Sequence, residues 1–476
     1  MSELALNIGT IIFSTFNLSE FVRSHETELH LAISSRNDAL RDFIILRLAE
    51  SIESAAHSAT DIPDRILLEI VKVASNHDIK KASSAVKFLR IFALSSSDCL
   101  KKLLAMDTFR ECLTDSAKVE QIIRFSELLV DVASLDPPSL SILEECGCFD
   151  PLLSVFRKDD PLLQLNCIAV LKTLASFPEG RSFLHSKGIV NDVVSIISSR
   201  ETNPFANLVL PGLLSFLGVV AALEPANYLG SVESPTPFTT CIGDCIRDVS
   251  STVFLTALET VGFLCRHPEG KLAIAGHLAE PGVLSHVLPT LGRLLQNSPP
   301  ELLTRVLNVL ADVLRLPRSM PVDGATPLAH LTWLWLSRIS GSPAPEAFKN
   351  DALKVFARVW ALARQPFYDV RQAALLLLEA IMTEPWGITL LMDQAGFVEY
   401  LLNRSTENSL ASEGVSLLPV KFSIISQAYN TQEKWCGTCP QWREIDEETL
   451  ARLREYVRCG PWGSVRAEAA VAIEQG

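Results

Sequence analysis

Residues 136–197 carry one pattern twice. A Pro opens it, then comes a short apolar-periodic run, then a Gly, then a second apolar run. Pro137 leads to Gly147 and Leu152-Leu153, and Pro178 leads to Gly188 and Val193-Val194. The two glycines stand 41 residues apart (188 − 147), as do the two prolines (178 − 137). Later copies keep the motif. Pro268-Glu269-Gly270-Lys271 echoes Pro178-Glu179-Gly180-Arg181 after 90 residues (268 − 178), which is two repeats of 45 with one diverged unit between. Pro385 again precedes a glycine, Gly396, by 11 residues (396 − 385). A chain built this way buries each copy against its neighbours rather than around one centre.

A period of about 40–47 residues made only of helices is that of the armadillo and HEAT solenoids. The helical spacing is clearest at residues 41–54, 78–94 and 117–135, where Ile122, Phe125, Leu129 and Val132 fall on one face. No segment shows the period-2 alternation of strands. The expected fold is all-α, an armadillo/HEAT-like superhelix of about nine or ten repeats. Residues 1–62 are expected to form an N-terminal helical cap, with Asp61 as an N-cap. Residues 63–430 form the repeats, and residues 431–476 a C-terminal helical cap with helices at 447–458 and 466–473. Pro- and Gly-rich loops are expected near 224–238 and 317–327, and Pro211-Gly212 is expected to interrupt the apolar run before Leu223. One long helix is expected over 249–265.

Length supports this organisation, since 476 residues exceed what one compact core holds. The hydrophobic share of 48% and the mean hydropathy of +0.24 suit helices packed on several sides. No uninterrupted apolar run approaches the ~18–20 residues of a membrane span, so no membrane is expected. The apolar N-terminal stretch 8–16 has no Lys or Arg before Arg23 and does not read as a secretory signal. Eleven Cys, among them Cys99, Cys112, Cys167 and Cys265 at core positions, read as reduced thiols in the cytosol or nucleus. A net charge of −13 disfavours a nucleic-acid partner.

No constellation for catalysis emerges. Cys436 and Cys439 form a CxxC, but the nearest further Cys is Cys459 and the last His in the chain is His330, far upstream, so the pair reads as two loop thiols rather than a zinc site. His185, His277 and His286 lie near repeat turns and read as solvated or capping. Gly180-Arg181 and Gly270-Lys271 place a cation after a glycine, which reads as a turn glycine beside a solvated charge more readily than as an anion site. No phosphate loop and no GxSxG elbow is present. The chain is expected to be neither an enzyme nor the holder of a metal or cofactor.

What recurs is a polar line on the long helices. It comprises Lys87 and Arg90, Arg124 and Asp131, Lys172, Glu259, then Arg305, Asn308 and Asp312 at i, i+3, i+7, and Arg371 and Glu379 two turns apart. In armadillo-type repeats the last helix of each unit lines the groove, so these eleven residues are candidates for gripping a partner. The plainer reading is the solvated stripe of an amphipathic helix.

The order of several further segments is more specific. The segments at 203–218 (NPF…LPGLLSFLG), 256–271 (TALETVGFLCRHPEGK), 385–405 (PWGITLLMDQAGFVEYLLNRS) and 450–462 (LARLREYVRCGPW) resemble the 26S proteasome non-ATPase regulatory subunit 5 family in collinear order. The segment 430–444, with its CxxC, and the length of the 224–238 loop depart from the family pattern. The resemblance implies a non-catalytic chaperone for assembly of the base of the proteasome regulatory particle. Such a protein binds an ATPase subunit through its C-terminal domain, escorts associated base subunits, and leaves before the mature particle forms. It implies no cofactor, a monomer when free, and a cytoplasmic location extending to the nucleus. The alternative is an armadillo adaptor or scaffold in transport or trafficking. An import-receptor version should show a groove ladder of Trp, yet Trp333, Trp335, Trp360 and Trp386 do not recur at the repeat interval.

Overall fold

A computed structural model describes residues 22–54, 62–158, 160–203, 205–317, 320–342, 348–407 and 416–463. The apolar stretch at 8–16, the Asp61 cap and the helix expected at 466–473 lie outside these residues. Among the described residues the chain is helical throughout, the sole β feature being an isolated bridge between Gly230 and Pro235. It is an armadillo/HEAT-like α-solenoid. Shorter helices lead into one longer helix, and within each unit longer helices stack side by side.

The row helices are α1 (Asp38–Ser54), α2 (Ile79–Ser95), α3 (Val119–Leu135), α4 (Pro161–Ala175), α5 (Ala206–Leu223), α6 (Phe254–Leu264), α7 (Pro300–Leu314), α8 (Tyr368–Ile381) and α9 (Leu418–Trp435). The chain divides into two compact units, Met1–Phe216 and Leu217–Gly476. Within the first, α1 packs on α2, α2 on α3 and α3 on α4. Within the second, α6 packs on α7, α7 on α8 and α8 on α9.

Local chemistry sets the helix starts. Asp78 accepts from the Lys80 amide at the head of α2, and Ser96 from the Cys99 amide one helix on. Asp160 caps α4 through the Leu162 and Leu163 amides. Each such cap satisfies donors that a helix leaves open at its first turn. Ile122, Phe125, Leu129 and Val132 are all buried in α3, as their spacing predicts. Cys99, Cys112, Cys167 and Cys265 are buried too, and burial pushes the Cys167 and Cys265 thiols up to about 12.

The two glycines of the repeat motif have different causes. Gly147, Gly188 and Gly396 have φ of +65°, +73° and +78°, a left-handed turn that L side chains rarely adopt. Gly180, Gly270 and Gly387 instead lie inside the first turn of a Pro-led helix, pressed on the end of the row helix before it. A Cβ there would stand 2.1, 2.1 and 2.0 Å from the carbonyl oxygens of Leu174, Leu264 and Ile381. These are not turn glycines but close-approach glycines. Gly270→Ala is therefore expected to cost about 1–3 kcal/mol, the range for overpacking a filled interior. A chemical-denaturation midpoint indistinguishable from wild type would mean that the joint has slack.

Three expectations change. Pro211 does not break its helix, because α5 runs through it. The lost hydrogen bond is offset by burial of Val209, Leu210, Leu213 and Leu214. Gly212 lets α4 approach, since a Cβ would meet Ile168 at 2.7 Å. The result is an 18-residue helix apolar and long enough to cross a membrane by length and composition, although 67% of it is buried inside the protein. The expected loop at 317–327 is shorter, because the helix Val322–Ser340 takes in Pro327 and buries Ala325 and Leu328. The helix expected from 249 begins only at Phe254. Asp248 accepts from the Ser250 amide and hydroxyl at 3.0 and 2.6 Å, a local alternative to helix. The 224–238 region holds the short helix Pro225–Tyr228 and then a turn that leads into the helix Pro237–Arg247, pinned by Thr239 donating to the Leu229 carbonyl at 2.9 Å.

Candidate partner-binding surface

The polar line predicted on the row helices divides into three kinds of residue. Lys87 on α2 and Asn308 on α7 are exposed. A second set reaches across to the next row helix. In the first unit Arg90 on α2 meets Asp131 on α3 at 3.5 Å, and Lys172 on α4 donates to the Ser215 hydroxyl on α5 at 2.5 Å. In the second unit Arg305 on α7 grips Glu259 on α6 through both carboxylate oxygens, at 2.6 and 2.7 Å. Asp312, also on α7, takes Arg266 at 2.8 Å just beyond the end of α6. The geometry is that of helices one repeat apart, each offering a side chain at the height of its neighbour's.

In each unit these contacts form rungs between successive repeats at the surface. Arg305 and Glu259 keep 42% and 43% of their side-chain surface in contact with solvent. Exposed pairs of this kind contribute only ~0–1 kcal/mol, so they hold neighbouring repeats together weakly.

The third set is internal. Arg124 donates to the backbone carbonyls of Ala74, at 2.8 Å, and Asn76, holding the end of the helix Asp64–Ala74. Arg371 and Glu379 on α8 are only 5% and 6% exposed. Arg371 donates to Glu407 at 2.6 Å, while Glu379 accepts from Arg315 at 2.7 Å and from Ser423 on α9 at 3.1 Å. These two residues are therefore removed from the open line. The i, i+8 spacing placed them on one face, but that face of α8 is covered by α7 and α9.

Sequence reasoning also missed two buried polar clusters. Lys271, of the Pro-Glu-Gly-Lys motif, is fully buried and not solvated. Its ammonium donates to the carbonyls of Asp312 (3.3 Å) and Val313, the C-terminal end of α7. Burial pushes its pKa down. Arg181, its counterpart in the earlier repeat, donates to the Ala175 carbonyl at 3.2 Å. Both cations thus serve helix C-termini, where cations are favoured, and neither faces an anion site. Near Lys271, Glu384 is fully buried and accepts from the Thr332 hydroxyl at 2.8 Å, and burial pushes its carboxyl up to about 8. The second cluster joins Arg371, Glu407, Lys421 and Tyr400. Lys421 donates at 2.6 Å to both the Asn403 carbonyl and the Thr406 hydroxyl, and its own value is pushed down to about 8 by burial. The available signal was a cation among apolar residues at the start of a helix, as with Lys421 in the run Leu417–Ile425.

His277 is buried and bonds the Gly230 carbonyl at 3.1 Å, and His286 bonds Gly243 at 3.1 Å, so both tie repeats together rather than facing solvent. In the CxxC, Cys436 is exposed and donates to Glu444 at 3.6 Å, while Cys439 is buried. Among the described residues no group of three or more His, Cys, Asp or Glu is placed to hold a metal ion.

Fold and surface together define an armadillo/HEAT-like solenoid with a laced polar row, a class whose members are typically non-catalytic scaffolds. The chain belongs to the family described as Proteasome non-ATPase 26S subunit, whose model matches residues 2–476. It is 25% identical over 458 residues to the 26S proteasome non-ATPase regulatory subunit 5 of Homo sapiens, covering 95% of this chain and 83% of the human protein. The protein of the same name from Drosophila melanogaster is 23% identical over 387 residues, covering 80% of this chain and 70% of that protein. Among solved structures, the karyopherin Kap121p bound to the extreme C-terminus of the phosphatase Cdc14p is similar, at 12% identity and a TM-score of 0.45, over 92% of this chain and 52% of that one.

Proposed function

We propose that this chain is a non-catalytic chaperone for assembly of the base of the 26S proteasome regulatory particle. In this reading it binds an ATPase subunit through that subunit's C-terminal domain, accompanies associated base subunits, and dissociates before the mature proteasome forms. It acts as a monomer when free and works in the cytoplasm. The observation that carries the reading is family membership over essentially the whole chain. The rungs supply a physical means. Weak exposed pairs on a stacked row of helices can be exchanged for a partner's charges, and an assembly that covers the same partner surface competes the chaperone off.

The test is affinity purification of the tagged chain, with mass spectrometry of the proteins that copurify. ATPase subunits are expected in quantity, with little core particle. Stoichiometric recovery of intact, peptidase-active proteasomes would sink the assembly role. A swapped rung, Glu259→Arg with Arg305→Glu, separates surface from fold. The pair remains, so stability should stay within about 0.5 kcal/mol of wild type, as for surface changes. Recovery of ATPase subunits is expected to fall several-fold. Full recovery by the folded swap places the contact away from this rung.

A further inference from the structure

A cavity of about 510 Å³ in the first unit lies outside the polar row. Its walls come from the helices Ser97–Ala105, Asp107–Glu111 and Ser139–Glu145 and the turn after the last of these. Its size is within the ~300–1,000 Å³ of small-molecule sites. Leu104, Leu113 and Ile142 give it an apolar floor. Lys101 and Arg110 line it, are exposed, and make no ion pair with a described residue, against the single carboxylate of Glu145. Two thiols complete it. Cys146, which ends the helix, is exposed, and Cys148 is buried behind the left-handed turn at Gly147. Unpaired cations beside an accessible thiol, in a cavity of ligand size, suit an anionic reagent that ends on sulfur.

We propose that this cavity is a modification site at which glutathione disulfide, a small anionic disulfide, forms a mixed disulfide with Cys146. The Cys146 thiolate attacks one sulfur of the reagent. The reagent's S–S bond breaks as the new one forms, and glutathione thiolate leaves and takes up the proton that Cys146 lost. Cys146 is oxidised and the released glutathione is reduced. The glycine and γ-glutamyl carboxylates of the bound half fall to Lys101 and Arg110. Cys148 does not resolve the adduct, because burial pushes its thiol up to about 12 and keeps it protonated. The site stands independently of the proteasomal role.

The molecule contains its own control. Cys436 is also exposed, but its neighbour is the Glu444 carboxylate at 3.6 Å, which repels an anionic reagent. The intact reduced chain is treated in parallel with glutathione disulfide and with cystamine, a cationic disulfide, at low salt, and modification is tracked by peptide mapping. With glutathione disulfide, Cys146 is expected to react about tenfold faster than Cys436, and with cystamine the order reverses, since each charge at contact distance shifts the encounter roughly fivefold in water. Lys101→Glu with Arg110→Glu, both at exposed positions, should remove the anionic preference while circular dichroism stays unchanged. Equal rates at the two thiols, or a preference that survives charge reversal, overturns the proposal. So does a Cys146–Cys148 disulfide, seen as a loss of two hydrogens, in place of the adduct.

Discussion

Replacing Glu407 by Gln is expected to lower the stability of the second unit by about 3–5 kcal/mol, the usual cost of breaking a buried ion pair from one side. Glu407 is 2% exposed and is the carboxylate shared by Arg371 and Lys421, which are 5% and 0% exposed. Arg371 lies 2.6 Å from it and Lys421 3.9 Å. Gln keeps the shape and removes the charge, so two buried cations face no anion. The measurement is convenient, because all seven Trp, from Trp333 to Trp462, belong to the second unit. Intrinsic tryptophan fluorescence of the intact chain in urea therefore reports on that unit alone. Adding Arg371→Met should recover part of the loss. A double variant no more stable than Glu407→Gln would show that the penalty is not electrostatic.

The second large effect depends on pH. Glu384 titrates near 4.5 when unfolded and at about 8 when folded, because burial disfavours its charged form more than Lys271, the Thr332 and Trp386 donors and Lys434 favour it. Between those values the folded chain holds a proton that the unfolded chain has lost. The contribution is thus fully present below about 4.5 and is lost as pH rises through about 8. Glu384→Gln stays neutral and keeps an acceptor for Thr332. It should be indistinguishable from wild type near pH 4 and more stable by roughly 3–5 kcal/mol at pH 9. A constant difference between the two proteins from pH 5 to pH 9 would show that Glu384 is ionised throughout.

The repeat was legible because it rests on periodic apolar residues and on two glycines with separate backbone demands. Its boundaries were legible where a side chain caps a helix, as at Asp78 and Ser96. They were misjudged where tertiary burial outweighs local preference. Pro211 and Pro327 look like breaks, yet each lies in a helix whose apolar face is covered. The polar line was legible as spacing and not as occupancy. Arg305 and Arg371 look alike in sequence, each a cation on an apolar helix. Neighbouring repeats leave one half exposed on a rung and bury the other beside Glu407. That difference lies 36 to 46 residues away along the chain, beyond any local pattern.

On the proposed function, with the rungs as the binding surface, their chemistry constrains the partner. A surface of one sign that takes over Arg305 would release Glu259 as a bare carboxylate beside it, and a second anion arriving next door would be repelled. The same holds for Asp312 and Arg266 with signs reversed. The row therefore favours a complement in which acidic and basic groups alternate, each exchanging with one member of a rung. It discriminates against uniformly charged chains, whether acidic tails or polyanions, without needing a pocket to exclude them.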